Sequence, residues 1–374
     1  MPAAARLFLV CTETSGDLLG SRLVASLQEH IPNLLVRGVA GPRLEQLGMQ
    51  AVYRVSDFNV MGLVEVLSEL GRLKHQFNVL VQDLKQFKPD AIVLIDAPDF
   101  NLRFAKAIHG LGIPVIYYVS PQVWAWRPGR AKTLAQITDH MLVLFPFECE
   151  IYRPLGLKTT FVGHPLVEEI AQFQPDPAFD QQYPTTDKPL VVLAPGSRKS
   201  EIERLLPTMA EVARRAADRY DFRVPLVPSF PLEQAQALVG NAPITFCPGG
   251  FRELMARADA AVVASGTATL ETGLFGVPMV VGYRLNRLTH FMAKRLVKVP
   301  HVGMVNLILG ERVMPELIQN EFTPERILAE LEKLMQPGPV RDRVLEKLND
   351  LPQALGGLGA SDRAARAVLT DMGP

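Results

Sequence analysis

A chain of 374 residues has room for two globular domains, and 48% hydrophobic with 21% charged residues excludes a disordered polymer. Lys plus Arg and Asp plus Glu both number 39, so no bulk charge attracts nucleic acid or anionic lipid, and any anion binding must come from local clusters. The three cysteines, Cys11, Cys149 and Cys247, form no C-x-x-C pair, which argues against a disulfide framework or zinc site and suits a reducing compartment.

The apolar run Leu7–Val10 is too short for a signal-peptide core, and no stretch reaches the roughly 18 apolar residues of a membrane span. A membrane would be met from its surface. Strands are expected at Leu7–Cys11, Leu35–Ala40, Ala91–Asp96, Val115–Val119 and Met141–Leu144, with helical patterns between them at Asp17–Gln28, Leu63–Phe87 and Phe104–Leu111. Continuous apolar strands separated by helices predict parallel strands covered on both faces, a doubly wound α/β plan. Gln174–Pro189 is polar, carries Pro175, Pro177, Pro184 and Pro189, and reads as a linker. The alternation then restarts, with strands expected at Leu190–Ala194, Val224–Val227, Ile244–Cys247, Ala260–Ala264 and Met279–Val281. Helical patterns follow at Leu206–Arg219, Phe251–Ala256, Ala268–Leu274 and Pro324–Met335. The expected organisation is a first domain over 1–173, a linker over 174–189, a second domain over 190–340, and helices over 341–374 packing back on the first. Such halves place ligands at strand C-termini bordering a shared cleft.

In the first half, Glu13-Thr14-Ser15-Gly16-Asp17 follows the first strand and sets Glu13 and Asp17 beside a helix N-terminus; it is not a G-x-G-x-x-G fingerprint, so NAD has little support. Ile95-Asp96-Ala97-Pro98-Asp99 ends another strand with two carboxylates. Pro98 stops the strand, Asp99 is the better candidate to cap the next helix, and Asp96 is left to act as a base. Tyr118 to Arg127 holds Trp124 and Trp126, which beside an Arg suit a sugar or acyl ligand, although buried loop anchors are the more common case. In the second half, Pro195-Gly196-Ser197-Arg198 follows a strand and can close on an anion, although an ordinary turn with an exposed Arg remains open. Ser265-Gly266-Thr267 opens a helix, with Ser265 or Thr267 as N-cap and free amides for a pyrophosphate. Glu271 either bonds the ribose hydroxyls or merely complements the helix dipole. Metal signals are absent: the sequence has no D-x-D, and its seven His are scattered.

Two stretches could touch lipid: the apolar Val60–Leu67, with Met61, Leu63, Val64 and Leu67, and the amphipathic Arg284–Lys298, with Lys294, Arg295 and Lys298. For the second, a core helix with a solvated basic side is the better reading of the residues alone.

Read in order, these motifs resemble the lipid-A-disaccharide synthase family nearly end to end. The resemblance is carried by Ser15-Gly16-Asp17-Leu18-Leu19-Gly20, Ala40-Gly41-Pro42-Arg43, Val60-Met61-Gly62 and Ile95 to Asn101, then by Tyr118-Val119-Ser120-Pro121, Leu144 to Glu148 and Gly163-His164. It continues through Pro195 to Arg198, Ala264 to Ala268 with Leu270-Glu271, Pro278 to Arg284, Ala293 to Lys298 and Asn306-Leu307. One departure is Thr12-Glu13-Thr14, where the family usually shows Gly-Glu before its Ser-Gly-Asp.

The resemblance implies a GT-B fold, two Rossmann-like domains facing a cleft, with no metal or other cofactor. It implies inverting transfer from UDP-2,3-diacylglucosamine to 2,3-diacylglucosamine 1-phosphate, giving a β-1',6 disaccharide and UDP. Asp96 would be the base and Arg198 its catalytic partner. Ser197, Ser265, Gly266, Thr267, Glu271 and Asn306 would bind UDP, with Ser15 and Gly16 among the substrate contacts. The apolar and basic stretches become acyl and phosphate surfaces. The implied location is cytoplasmic, peripheral on the inner face of the cytoplasmic membrane of a Gram-negative-type bacterium, and a homodimer is compatible. The rivals are a GT-B UDP-sugar 2-epimerase, which needs no apolar acceptor region, and a non-catalytic UDP-sugar or lipid binder, which needs no Asp96.

Overall fold

The computed structural model describes residues 5–58, 63–123, 129–285 and 301–373, without the side chains of 63–70. Two compact units emerge, one of residues 1–165 with 356–374, the other of 166–355. The first holds a seven-stranded sheet: β1 Arg6–Cys11, β2 Leu35–Ala40, β3 Gln50–Arg54, β4 Ala91–Ile95, β5 Val115–Tyr118, β6 His140–Val143 and β7 Lys158–Phe161, in the order β3-β2-β1-β4-β5-β6-β7. All its pairings are parallel. Alternate residues of β1 serve opposite cores. Leu7, Leu9 and Cys11 pack with Leu23 and Leu27 of helix Thr14–His30 and with Ala364, Ala365 and Val368 of helix Ala360–Met372. Phe8 and Val10 pack with Leu80 and Leu84 of helix Leu63–Phe87, Phe104 of helix Pro98–Ile108 and Leu134 of helix Gly129–Ile137.

The second unit holds six parallel strands: β8 Leu190–Ala194, β9 Asp221–Val224, β10 Thr245–Phe246, β11 Ala260–Ala264, β12 Met279–Tyr283 and β13 Glu316–Ile318, in the order β10-β9-β8-β11-β12-β13. In each sheet the chain order reverses once, between β1 and β4 and between β8 and β11. Loops on either side of such a reversal diverge and leave a crevice at the strand C-termini. There Cys11 pairs with Ile95, and Ala194 with Val263, so the motif loops that follow are neighbours.

The unit boundary falls at Pro165/Leu166 rather than within 174–189. The proline-rich stretch is bound into the second unit: Arg223 donates to the carbonyls of Tyr183 and Pro184, and Arg257 pairs with Asp180. The C-terminal helices also divide. Leu348 and Leu351 of helix Pro339–Ala354 pack on Gly273 of the second unit, and only Ala360–Met372 joins the first. Among the described residues, no helix is long and apolar enough to cross a membrane.

Candidate active site

At the C-terminus of β4 the backbone turns through two left-handed residues, Asp96 at φ 49° and Ala97 at φ 43°, before Pro98 opens the next helix. Left-handed backbone at non-glycine residues costs about 1–3 kcal/mol each and persists only where surrounding bonds impose it. Here the Asp96 carbonyl accepts from the Tyr117 hydroxyl at 2.7 Å and from Asn101 Nδ2 at 2.8 Å, and Asn101 Nδ2 also reaches the Ile95 carbonyl at 3.0 Å. The Asp96 amide donates to the Tyr118 carbonyl, tying the turn to β5. Burial, then the charge of nearby Glu13, raise the Asp96 pKa above its ordinary value. The side chain expected to be the base is thus half-buried and carried by a clamped backbone, with its pKa above the ordinary value.

The neighbouring carboxylates do not do what the sequence suggested. Asp99 caps nothing: the cap position is Ala97, which has no side-chain oxygen, and the exposed Asp99 pairs with Arg130 at 3.0 Å. Asp17 is not an open acid beside the first helix. It is 2% exposed and accepts from the backbone N–H groups of Gly41, Arg43 and Leu44, capping helix Pro42–Gln46. Gly41 leaves room for this, since a Cβ there would lie 2.3 Å from the Asp17 carboxyl carbon. Ser15 is exposed in the first turn of helix Thr14–His30, but Gly16 is buried, and a Cβ on it would stand 2.9 Å from Cys11 Cβ. Gly16 therefore allows close helix–strand contact.

In the second unit, Gly196 at φ 112° turns the chain out of β8. Glu201 reaches back to accept from the Ser197 and Arg198 amides at 3.1 and 3.2 Å, and from Arg198 Nη1 at 2.9 Å. The two amides expected to meet phosphate are already held by a carboxylate, while the Arg198 side chain is 80% exposed. The Arg198-to-Glu201 spacing is itself a helix-start signal, with Glu at the third helical position. After β11, the cap of helix Thr267–Leu274 is Gly266 at φ 146°, not Ser265 or Thr267. Ser265 instead donates to the Val302 carbonyl at 2.7 Å, and the exposed Thr267 is the first helical residue.

Glu271 is not alone. Arg252 Nε and Nη2 donate to its Oε1 at 2.9 and 2.8 Å, and Nη2 also reaches Glu169 Oε2 at 2.7 Å. Burial acts to lower the Arg252 pKa, but the bonds to Glu169 and Glu271 outweigh it and the net shift is upward. Neither Arg252 nor Glu169 stood out in the sequence. Asn306 is fully buried, and its amide is spent inside the protein. Its Nδ2 donates to the Met314 carbonyl and Glu316 Oε1, and its Oδ1 accepts from the Val313 and Met314 amides. It shapes a loop rather than presenting a group to a nucleotide.

Met61, Lys294, Arg295 and Lys298 lie outside the described residues, as do Trp124, Trp126, Arg127 and the side chains of Leu63, Val64 and Leu67. Among the described residues no His, Cys, Asp and Glu cluster could hold a metal ion. Burial pushes the Cys11 thiol up to about 12 and Cys247 up to about 11, so neither offers a thiolate at neutral pH.

Two parallel α/β units, each with motif loops at its strand-order reversal, define a GT-B-type protein. Solved structures agree at the level of fold: UDP-GlcNAc 2-epimerase from Neisseria meningitidis bound to UDP-GlcNAc (TM-score 0.62, 14% identity, 98% of each chain covered) and CalG4, the calicheamicin glycosyltransferase (TM-score 0.59, 17% identity, 100% of this chain and 99% of that one). The family model described as lipid-A-disaccharide synthetase matches residues 7–350. Lipid-A-disaccharide synthase of Myxococcus xanthus is 40% identical over 375 residues, covering 99% of this chain and 98% of the relative, and that of Geobacter sulfurreducens is 38% identical, covering 98% and 97%. The chain belongs to the lipid-A-disaccharide synthase family.

Proposed function

We propose that the chain transfers a 2,3-diacylglucosamine unit from its UDP ester to the 6-hydroxyl of 2,3-diacylglucosamine 1-phosphate, with inversion. The observation that carries the mechanism is Asp96, held in a left-handed turn at the sheet reversal with its pKa raised. Ionised Asp96 takes the proton of the acceptor hydroxyl as that oxygen attacks the anomeric carbon. The bond from that carbon to the UDP oxygen breaks on the opposite face, and its electrons leave with UDP. The second unit receives the donor, with the pyrophosphate between Arg198 and the start of helix Thr267–Leu274, whose positive dipole end favours an anion. Glu201 orients Arg198, whose exposed guanidinium stabilises the charge that grows on the leaving oxygen. Glu271 bonds the ribose diol.

The acyl chains and lipid phosphate engage the apolar Met61–Leu67 stretch and the basic Lys294–Lys298 stretch. The enzyme works peripherally on the inner face of a bacterial cytoplasmic membrane, as a monomer or homodimer. The test is single-turnover disaccharide formation from the two diacyl substrates, read by mass spectrometry. Asp96→Asn should slow it by about 10²–10⁴-fold, the usual worth of a general base, with UDP affinity unchanged. Near wild-type turnover by a folded Asp96→Asn would remove Asp96 as base. With Asp17 spent on backbone amides, Glu13 would be the next candidate.

A further inference from the structure

Glu271 lies four residues beyond Thr267, so its side chain rises from the same helix face as the helix start. A diphosphate at that start would place the attached ribose near the Glu271 carboxylate. A glutamate has three side-chain torsions, however, and would sample several rotamers unless something held it. Arg252 supplies the hold. Two of its nitrogens converge on Glu271 Oε1, and the same guanidinium is anchored on Glu169 of helix Leu166–Ala171. These contacts use Oε1 and not Oε2.

We propose that Arg252 is a positioning residue for donor recognition: by capturing Oε1 it presents Glu271 Oε2 to the ribose hydroxyls, and it thereby sets the preference for ribo- over 2'-deoxyribo-nucleotides. This rests on the reading of Glu271 as the ribose ligand. The planar fork matters, because an ammonium keeps the charge without gripping one oxygen from two nitrogens. Removing the guanidinium takes both donors from Glu271 Oε1 and frees its carboxylate to sample other rotamers.

The experiment is calorimetric titration of UDP and 2'-deoxy-UDP into wild type, Arg252→Gln, Arg252→Lys and Glu271→Gln. Wild type should prefer UDP. Arg252→Gln should bind UDP about tenfold more weakly, the size of one lost charge-assisted hydrogen bond, and 2'-deoxy-UDP almost as wild type does, so the preference collapses. Arg252→Lys should fall between, and in turnover the donor KM should rise while kcat at saturation stays within about twofold. Equal loss for both nucleotides in a folded variant would make Arg252 a general structural residue and overturn the proposal. If Arg252→Gln does not fold, the same comparison in Arg252→Lys decides. A Glu271→Gln variant that keeps the wild-type preference would instead remove Glu271 from the ribose, so the two failures are told apart.

Discussion

Burial and the neighbouring Glu13 carboxylate both favour the neutral form of Asp96, so a base at this position ionises only above the ordinary aspartate value of 3.8. The active form is the ionised one, so activity should be lost as pH falls through that raised value. The acid limb of kcat/KM therefore lies higher than an exposed aspartate would give. Glu13→Gln removes the smaller of the two causes and should move the limb down, while burial, the larger cause, keeps it above 3.8. A pH profile in which Glu13→Gln leaves the limb in place, or raises it, would contradict the coupling. The carboxylates after the first strands were legible in the sequence; the partners of Asp17 and Asp99 were not. Asp17 meets amides 24 or more residues away in the chain, and nothing local announces such a partner. The same holds for Arg252, whose partners Glu271 and Glu169 are brought near only by tertiary packing.

At the scale of elements, the central strands were readable because both their faces are buried and their sequences are continuously apolar. Strands β3, β7 and β13 were not. Each is an edge strand, and Gln50–Arg54 and Lys158–Phe161 are mixed in polarity and partly exposed, so no apolar run marks them. The strand expected at Val224–Val227 ends at Val224, since Pro225 offers no N–H to a ladder. Helix Thr14–His30 was expected, yet its tight seat on the sheet depends on Gly16 and Gly20, where an added Cβ would meet Cys11 Cβ at 2.9 Å and Ile95 Cδ1 at 3.1 Å. Two effects oppose each other in Gly16→Ala. Helix propensity favours alanine by about 1 kcal/mol. Overpacking against a rigid Cβ costs about 1–3 kcal/mol and should win. Denaturant unfolding should show a net loss of stability, with UDP affinity of the folded variant unchanged. A variant more stable than wild type would refute the steric reading, and weaker UDP binding alone would return Gly16 to the ligand.

On the scale of the whole molecule, the first unit is built from both ends of the chain. Its last helix was foreseen as a return to the first half, but Pro339–Ala354 and Ala360–Met372 have the same amphipathic character, and periodicity could not assign them to different units. Small residues make the difference: Ala364 and Ala365 allow Ala360–Met372 to join the core of helix Thr14–His30. An ion cluster then fastens the far end. Asp371 bonds His140 Nδ1 and Lys158 Nζ, both at 2.5 Å, and its side chain is only 12% exposed. Burial alone would raise its pKa, but the bonds from His140 and Lys158 outweigh it and hold the carboxyl below 3.8. A carboxylate with a depressed folded-state pKa contributes stability that is present above the unfolded value and disappears as pH falls through the folded one. Asp371→Ala should therefore cost about 1.5–3 kcal/mol at neutral pH, the range for hydrogen bonds to a charged group. The gap between variant and wild type should shrink below pH 3.8 as the wild-type carboxyl takes up its proton. Thermal melts of both proteins across pH 7 to 3 measure this directly. A gap that stays constant over that range would mean that Asp371 acts through packing and that its charge does not fasten the returning helix.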